Sequence, residues 1–317
     1  MVNEFKKLGL KIKVFNKNIR YVHRKTKVLK IFIFFDILWC KIRYFISSNE
    51  YRVYEFYFMK NKERKHYLSK AVHNFYQRFL CPKKLLHMLN NKENLYTRLN
   101  GYTRRNIIDI NDIRFKEFEA LARENEAFIC REKEGSVFKS YKVYSLKDYR
   151  SPAFLSEKIK DDKKYLIEKK FEQHRLLREI SEEYIFVNFV TVFNANRVDV
   201  ISSSIKFRDG SFMITGHVDL KNNCVDGKLK INKIKDYGDG ENYQLPKLDR
   251  AIKLVKECAK ELSEIKEIEW SVCFNRRGDP YLMDARIWHD IIFAQIPNNG
   301  VRKKGLKDYY KELMRKI

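Results

Sequence analysis

The feature that most constrains this chain is a pair of strand-like runs close to its end. Glu269-Trp270-Ser271-Val272-Cys273-Phe274 is followed by Arg276-Arg277-Gly278-Asp279-Pro280 and then by Tyr281-Leu282-Met283-Asp284-Ala285-Arg286. Side chains in a strand repeat every second residue, so a hairpin closed at Gly-Asp-Pro sets Ser271 and Asp284 side by side on one face. Arg286, two residues beyond Asp284, shares that face.

With 317 residues and 44% hydrophobic side chains the chain can bury a sizeable core, as one large domain or two smaller ones. It carries 66 basic against 41 acidic residues, a net charge of +25. That excess favours an anionic partner: a nucleotide, a nucleic acid, an acidic glycan or an anionic membrane face. Abundant Lys, Ile, Asn, Tyr and Phe also fit a compositional bias with solvated lysines. Six cysteines show no C-x-x-C pair and no histidine at ligand spacing, so no zinc site is expected. Free thiols in apolar runs fit a reducing cytoplasm, and the polar, basic start Met1–Lys30 does not read as a signal peptide. The oily stretch 28–46 is broken by Lys30, Asp36, Lys41 and Arg43 and falls short of the ~20 apolar residues of a spanning helix. It is expected to be a core helix of the N-terminal region, with a peripheral seat on the inner membrane face as the second reading.

Residues 1–105 read as a helical region, and from about Asp109 the pattern becomes mixed. A helix is expected over Asp112–Glu124, strands near Ala127–Lys133 and Lys139–Leu146, and a helix opening at Ser151-Pro152. A strand Tyr165–Glu168 and a short helix Gln173–Ile180 follow. Three β-branched and aromatic strands come next, Tyr184–Phe193, Arg197–Phe207 and Ser211–Leu220. A helix from Pro246 to about Ile265, with an apolar stripe from Leu248 to Leu262, precedes the closing hairpin.

This order of elements resembles the ATP-grasp superfamily, specifically the sugar-transfer-associated ATP-grasp family of polysaccharide biosynthesis. The residues that carry the resemblance are Tyr54-Glu55-Phe56-Tyr57 with Glu63-Arg64 and Tyr67-Leu68-Ser69, then Phe128-Ile129-Cys130-Arg131, then Tyr165-Leu166-Ile167-Glu168 with Gln173-His174, and the hairpin itself. It implies an α+β fold in which two β-rich lobes clamp a nucleotide cleft behind a helical N-terminal region. The small lobe would cover about 106–170 and the large lobe about 171–300 of an ATP-grasp-like domain 106–317. It further implies ATP and Mg²⁺ as cofactors and a sugar or glycan-linked acceptor. Arg131, Lys206 and Arg286 become candidates for stabilising transferred charge, and Glu269 and Asp284 for holding the metal. Ser136, Glu168, Lys169, Phe171 and His174, with Arg131 and Lys206, become nucleotide contacts. Physical chemistry leaves alternatives open: Arg131 as a surface strand residue, Glu168 as an exposed strand end, Lys206 on a solvated face.

Two departures from the family pattern stand out. Between Arg131 and Tyr144 the only glycine is Gly135, although a phosphate loop needs close backbone approach. At the hairpin, Ser271 and Arg286 occupy positions where Mg²⁺ wants hard oxygen ligands, and a guanidinium cannot ligate a cation. Three functions therefore remain: an ATP-dependent ligase or transferase of bacterial surface polysaccharide synthesis working through an acyl phosphate; a degenerate relative binding nucleotide or glycan as a partner protein; and a nucleic-acid-binding protein. The third is disfavoured by the absence of an RNA-binding signature, zinc finger or recognition helix.

Overall fold

The computed structural model describes residues 2–103, 106–134, 141–231, 235–240, 243–287, 291–296 and 305–316. The fold is α+β, with helices first and two sheets after them. The chain divides into two compact units, one made of residues 1–79, 233–237 and 290–317, the other of residues 80–232 and 238–289.

The first unit holds helices α1 (Val2–Thr26), α2 (Lys30–Tyr44), α3 (Ser48–Val53), α4 (Asn61–Arg64) and α5 (Lys70–Leu80), with a C-terminal helix Lys307–Arg315. In α2 the buried residues Ile33, Ile37, Cys40 and Tyr44 follow i, i+4, i+7 and i+11 spacing, one stripe of a helix. A capping box starts α3: Ser47 Oγ accepts from the Glu50 amide at 3.3 Å and Glu50 Oε2 accepts from the Ser47 amide at 2.8 Å. The second oxygen of Glu50 accepts from the Lys70 amide at 2.6 Å, so one carboxylate serves two helix starts. The N-terminal signature residues form this unit's aromatic core, where the rings of Tyr54, Phe56 and Tyr67 lie 5.0–5.8 Å apart. Arg64 from the same signature is buried, forked on Asp36 at 2.6 and 2.8 Å and donating to the Phe56 carbonyl. Fully buried Gln295 bridges the Leu68 backbone, the Tyr54 hydroxyl and the Leu306 amide.

In the second unit come α6 (Lys83–Asn90), α7 (Lys92–Arg98), α8 (Asn100–Thr103), β1 (Ile108–Asp109), α9 (Phe115–Glu124), β2 (Ala127–Arg131), β3 (Lys142–Ser145), α10 (Pro152–Asp161), β4 (Leu166–Lys169) and α11 (Arg175–Arg178). The strands of this part form a four-stranded sheet ordered β1-β4-β2-β3. Its core is Phe118 and Ala122 of α9 and Leu155 and Ile159 of α10 against Phe128, Cys130 and Ile167. Next are β5 (Phe186–Asn194), β6 (Arg197–Asp209), β7 (Phe212–Asp219), β8 (Cys224–Ile231), β9 (Lys235–Asp239), of which only residues 238–239 belong to this unit, α12 (Leu248–Glu261), β10 (Glu267–Phe274) and β11 (Pro280–Arg286). These strands order as β11-β10-β5-β6-β7-β8-β9. The stripe Leu248, Ala251, Val255, Cys258 and Ala259 of α12 packs into the core beneath them.

Elements follow the sequence pattern closely where alternation or capping is explicit. Ser151 caps α10, accepting from the Phe154 amide at 3.4 Å, with Pro152 at its first position. The hairpin pairs Ser271 with Asp284 and Glu269 with Arg286, and Gly278 takes the left-handed φ of 76° at the turn. Two differences stand out. The expected helix Gln173–Ile180 is a single turn, Arg175–Arg178, because it holds a connection between β4 and β5. The strand β8 was not expected, since Val225-Asp226-Gly227-Lys228 reads locally as a polar turn; its pairing with β7 overrides that preference.

Candidate functional site

Strand pairing puts a polar row on one face of the large sheet. Asn188 lies opposite Ser271, Ser271 opposite Asp284, and Glu269 opposite Arg286, so period-two alternation brings their side chains together. Lys206 joins them from β6, donating to Glu269 Oε1 at 2.5 Å. Asn188 Nδ2 donates to the same oxygen at 3.0 Å, and Arg286 Nη2 donates to Oε2 at 2.5 Å. Both oxygens of Glu269 are thus committed to donors. Asp284, fully buried, is ion-paired with Lys92, itself 1% exposed, and accepts from the Ala285 amide at 2.9 Å.

Helix α7 delivers that lysine. Lys92 and Tyr96 stand at i and i+4, one face of a helix, and both reach β11. The Tyr96 hydroxyl donates to the Met283 carbonyl at 2.7 Å. Arg131 of β2 donates through Nη1 to the Tyr96 hydroxyl at 2.7 Å and to the Met283 carbonyl at 3.0 Å, while Nη2 is ion-paired with Glu168 of β4. At 1% exposure Arg131 is no surface residue, and Glu168 is no exposed strand end. Arg131 and Glu168, both expected as nucleotide contacts, are ion-paired with each other. A buried guanidinium and carboxylate each lose several kcal/mol of hydration, on the order of what their mutual attraction restores.

The other predicted residues are spread out. Lys169 is exposed and Phe171 half-buried, both on the rim of an open depression of about 980 Å³ that Arg276, Arg277 and Tyr281 also line. His174 caps α11, its Nδ1 accepting from the Leu176 amide at 3.3 Å. Burial, helped by the nearby Arg175, Lys247 and Arg178 charges, lowers its pKa and favours the neutral ring that this acceptor role requires. Ser136 lies outside the described residues. Between the strands near Arg131, Ile129, Tyr184, Phe186, Cys273 and Met283 pack as a small apolar cluster flanked by Phe171 and Tyr281.

Whether a divalent metal suits the hairpin can be judged from the donor set. Mg²⁺ demands near-octahedral hard oxygens. Here the two candidate carboxylates are both already ion-paired, Asp284 with Lys92 and Glu269 with Lys206 and Arg286, so a divalent ion would have to displace these cations. The buried Ser271 Oγ, without a hydrogen-bond partner among the described residues, is a neutral and weak ligand that cannot offset this. The residues do not fit Mg²⁺; an ammonium and two basic side chains do the neutralising. A second acidic group, Glu93, Asp109 and Asp112, is likewise met by Lys133, which pairs with Asp109 and with Glu93 at 3.1 Å.

Lys92, Tyr96 and Asn188 escaped sequence reasoning. Nothing local separates Lys92 from the many solvated lysines around it, whereas Asn188, a polar residue inside an apolar strand run, was a visible signal.

No protein-family model matches this chain, and no curated protein matches it significantly. Solved structures that it is similar to include the ATP-grasp ligase PsnB complexed with minimal precursor, at 11% identity and a TM-score of 0.46 over 81% of this chain and 71% of that one. N5-carboxyaminoimidazole synthetase from Staphylococcus aureus complexed with ADP is similar at 11% identity and 0.42, over 67% of this chain and 46% of that one. D-alanine–D-alanine ligase from Bacillus anthracis is similar at 14% and 0.39, over 63% and 57%. The chain spans about half the length of the synthetase it matches.

Proposed function

We propose that this chain is an ATP-grasp-like protein that binds a nucleotide without a divalent metal and serves surface-polysaccharide synthesis as a binding partner. The observation that carries this reading is the replacement of a metal by the chain's own cations: Lys92 on Asp284, Lys206 and Arg286 on Glu269. The polysaccharide context is supported by the signature residues Tyr54–Tyr57 and Tyr67–Ser69, and a glycan-linked group is the second ligand it suggests.

The nucleotide seat is the depression of about 980 Å³ beside the end of β4, at the upper end of the range of small-molecule sites. Phe171 and Tyr281, whose ring centroids lie 5.1 Å apart, offer apolar faces to a base. Lys169 and Arg277 show no carboxylate partner among the described residues and are placed to meet phosphates. Arg276 is held by Glu172 at 3.5 Å and contributes less.

Calorimetric titration with ATP, with and without Mg²⁺, tests this. ATP is expected to bind with the same affinity in both, and Lys169→Glu with Arg277→Glu is expected to weaken it by about tenfold or more. If Mg²⁺ tightens binding and Asp284→Asn abolishes that gain, the chain is instead a metal-dependent ligase. The γ-phosphoryl group would then pass to a carboxylate, giving an acyl phosphate and ADP, before an amine displaces phosphate.

A further inference from the structure

We propose that the outer face of α2 docks on an anionic lipid bilayer, an inference independent of the nucleotide reading. While Ile33, Ile37, Cys40 and Tyr44 face the unit's core, Ile31, Phe32, Phe35, Leu38, Trp39 and Ile42 face outward. Phe35 is 57% exposed and Ile42 67%, and the set follows helical spacing opposite the buried stripe. A continuous face of large apolar residues is uncommon on a solvated surface and marks something that covers it.

Charge says what covers it. Lys30 and Lys41 lie eleven residues apart along one border of this face, on the same line as Phe34, and Arg43 lies along the other. Between residues 9 and 45 the sole carboxylate is Asp36, and it is turned to Arg64 and to the Tyr51 hydroxyl, at 2.6 and 2.5 Å. On α1, Lys13, Lys17, Arg20 and Arg24 line a groove of about 430 Å³ with Arg52. Arg52 is only 8% exposed, and its Nε has no hydrogen-bond partner among the described residues. The face is therefore bordered by Lys30, Lys41 and Arg43, and the one carboxylate of its helix, Asp36, is held in an ion pair, the pattern of a helix lying in an anionic interface. A second copy would bring the bordering cations against their own kind. Nucleic acid would leave the aromatic face uncovered. Among the described residues no helix is long and apolar enough to cross a membrane, and the proposal seats α2 along the bilayer surface with Trp39 at the headgroup level.

Sedimentation of the full chain with phosphatidylcholine vesicles, with and without about a third phosphatidylglycerol, tests the proposal. Binding to the anionic vesicles is expected to exceed binding to the neutral ones by about tenfold or more and to weaken at high salt. Phe35→Glu with Ile42→Glu, both on the exposed face, is expected to abolish retention while the thermal melt is unchanged. Lys30→Glu with Lys41→Glu is expected to erase the preference for anionic lipid. Equal retention of the Phe35/Ile42 variant, or no retention of the parent chain, overturns the proposal. So does sedimentation-velocity evidence of a dimer that the same variant dissociates, which assigns the face to a second copy.

Discussion

Lys92 and Asp284 are the residue pair on which the reading of the site turns. Both are buried, so removing Lys92 takes from the Asp284 carboxylate the ammonium it is paired with. Lys92→Met is expected to destabilise the chain by about 3–5 kcal/mol, read as a lower urea midpoint. Lys92→Met with Asp284→Leu should recover most of that loss, because replacing a whole buried pair by apolar residues is often neutral. Had the pair been a metal site missing its ion, Lys92→Met would instead open Asp284 to Mg²⁺ and Mg²⁺ would restore the midpoint. Sequence alone showed half of this. Asp284 was marked by its place beside Ser271 on an alternating strand, but a lysine opening a short helix looks the same whether it faces water or a carboxylate almost two hundred residues away.

Among the elements, the small sheet is fastened to its helix by one carboxylate. Asp162, just beyond α10, accepts from Lys142 at 2.7 Å and from the Tyr144 hydroxyl at 2.6 Å, both on β3, and from Lys158 of α10 at 2.8 Å. These donors, Lys142 foremost, hold its carboxyl well below the usual carboxylate range. A lowered folded pKa stabilises the fold above the unfolded value of about 3.9, and that stabilisation fades as pH falls through the folded value. Asp162→Asn is therefore expected to cost stability at pH 7 and to lose that difference progressively below about pH 4, in urea melts across pH. The elements themselves were legible where the residues spoke locally. Ser151-Pro152 announced a helix start, and the hairpin register followed from alternation. The strand β8 was hidden because Gly227 and its polar neighbours carry a turn-like pattern that only pairing with β7 overrules.

At the scale of the whole molecule, the cysteines report how completely the core is closed. Burial pushes the Cys40 and Cys258 thiols up to about 12 and Cys81 to about 11, and raises Cys130 further, while Cys273 is fully buried. Cys224 alone is partly accessible. N-ethylmaleimide on the native chain at pH 7 is expected to label Cys224 only, and all six thiols in urea, as counted by intact mass. Labelling of Cys40 or Cys258 in the native chain would show that these cores open. The scattered placement of cysteines in apolar runs already pointed to this, since a thiol without a partner behaves as a small hydrophobe.

The bond between Lys92 and Asp284 spans 192 positions of the chain. During synthesis at roughly 5–20 residues per second, α7 leaves the ribosome on the order of 10–40 seconds before the strand that neutralises its lysine exists. Through that interval the Lys92 ammonium stays in water, while the contacts of its helix to the end of β2 have all their residues in place. Closure of the second unit is thus timed by translation of its last hairpin, which makes β11 the clasp that ends its assembly.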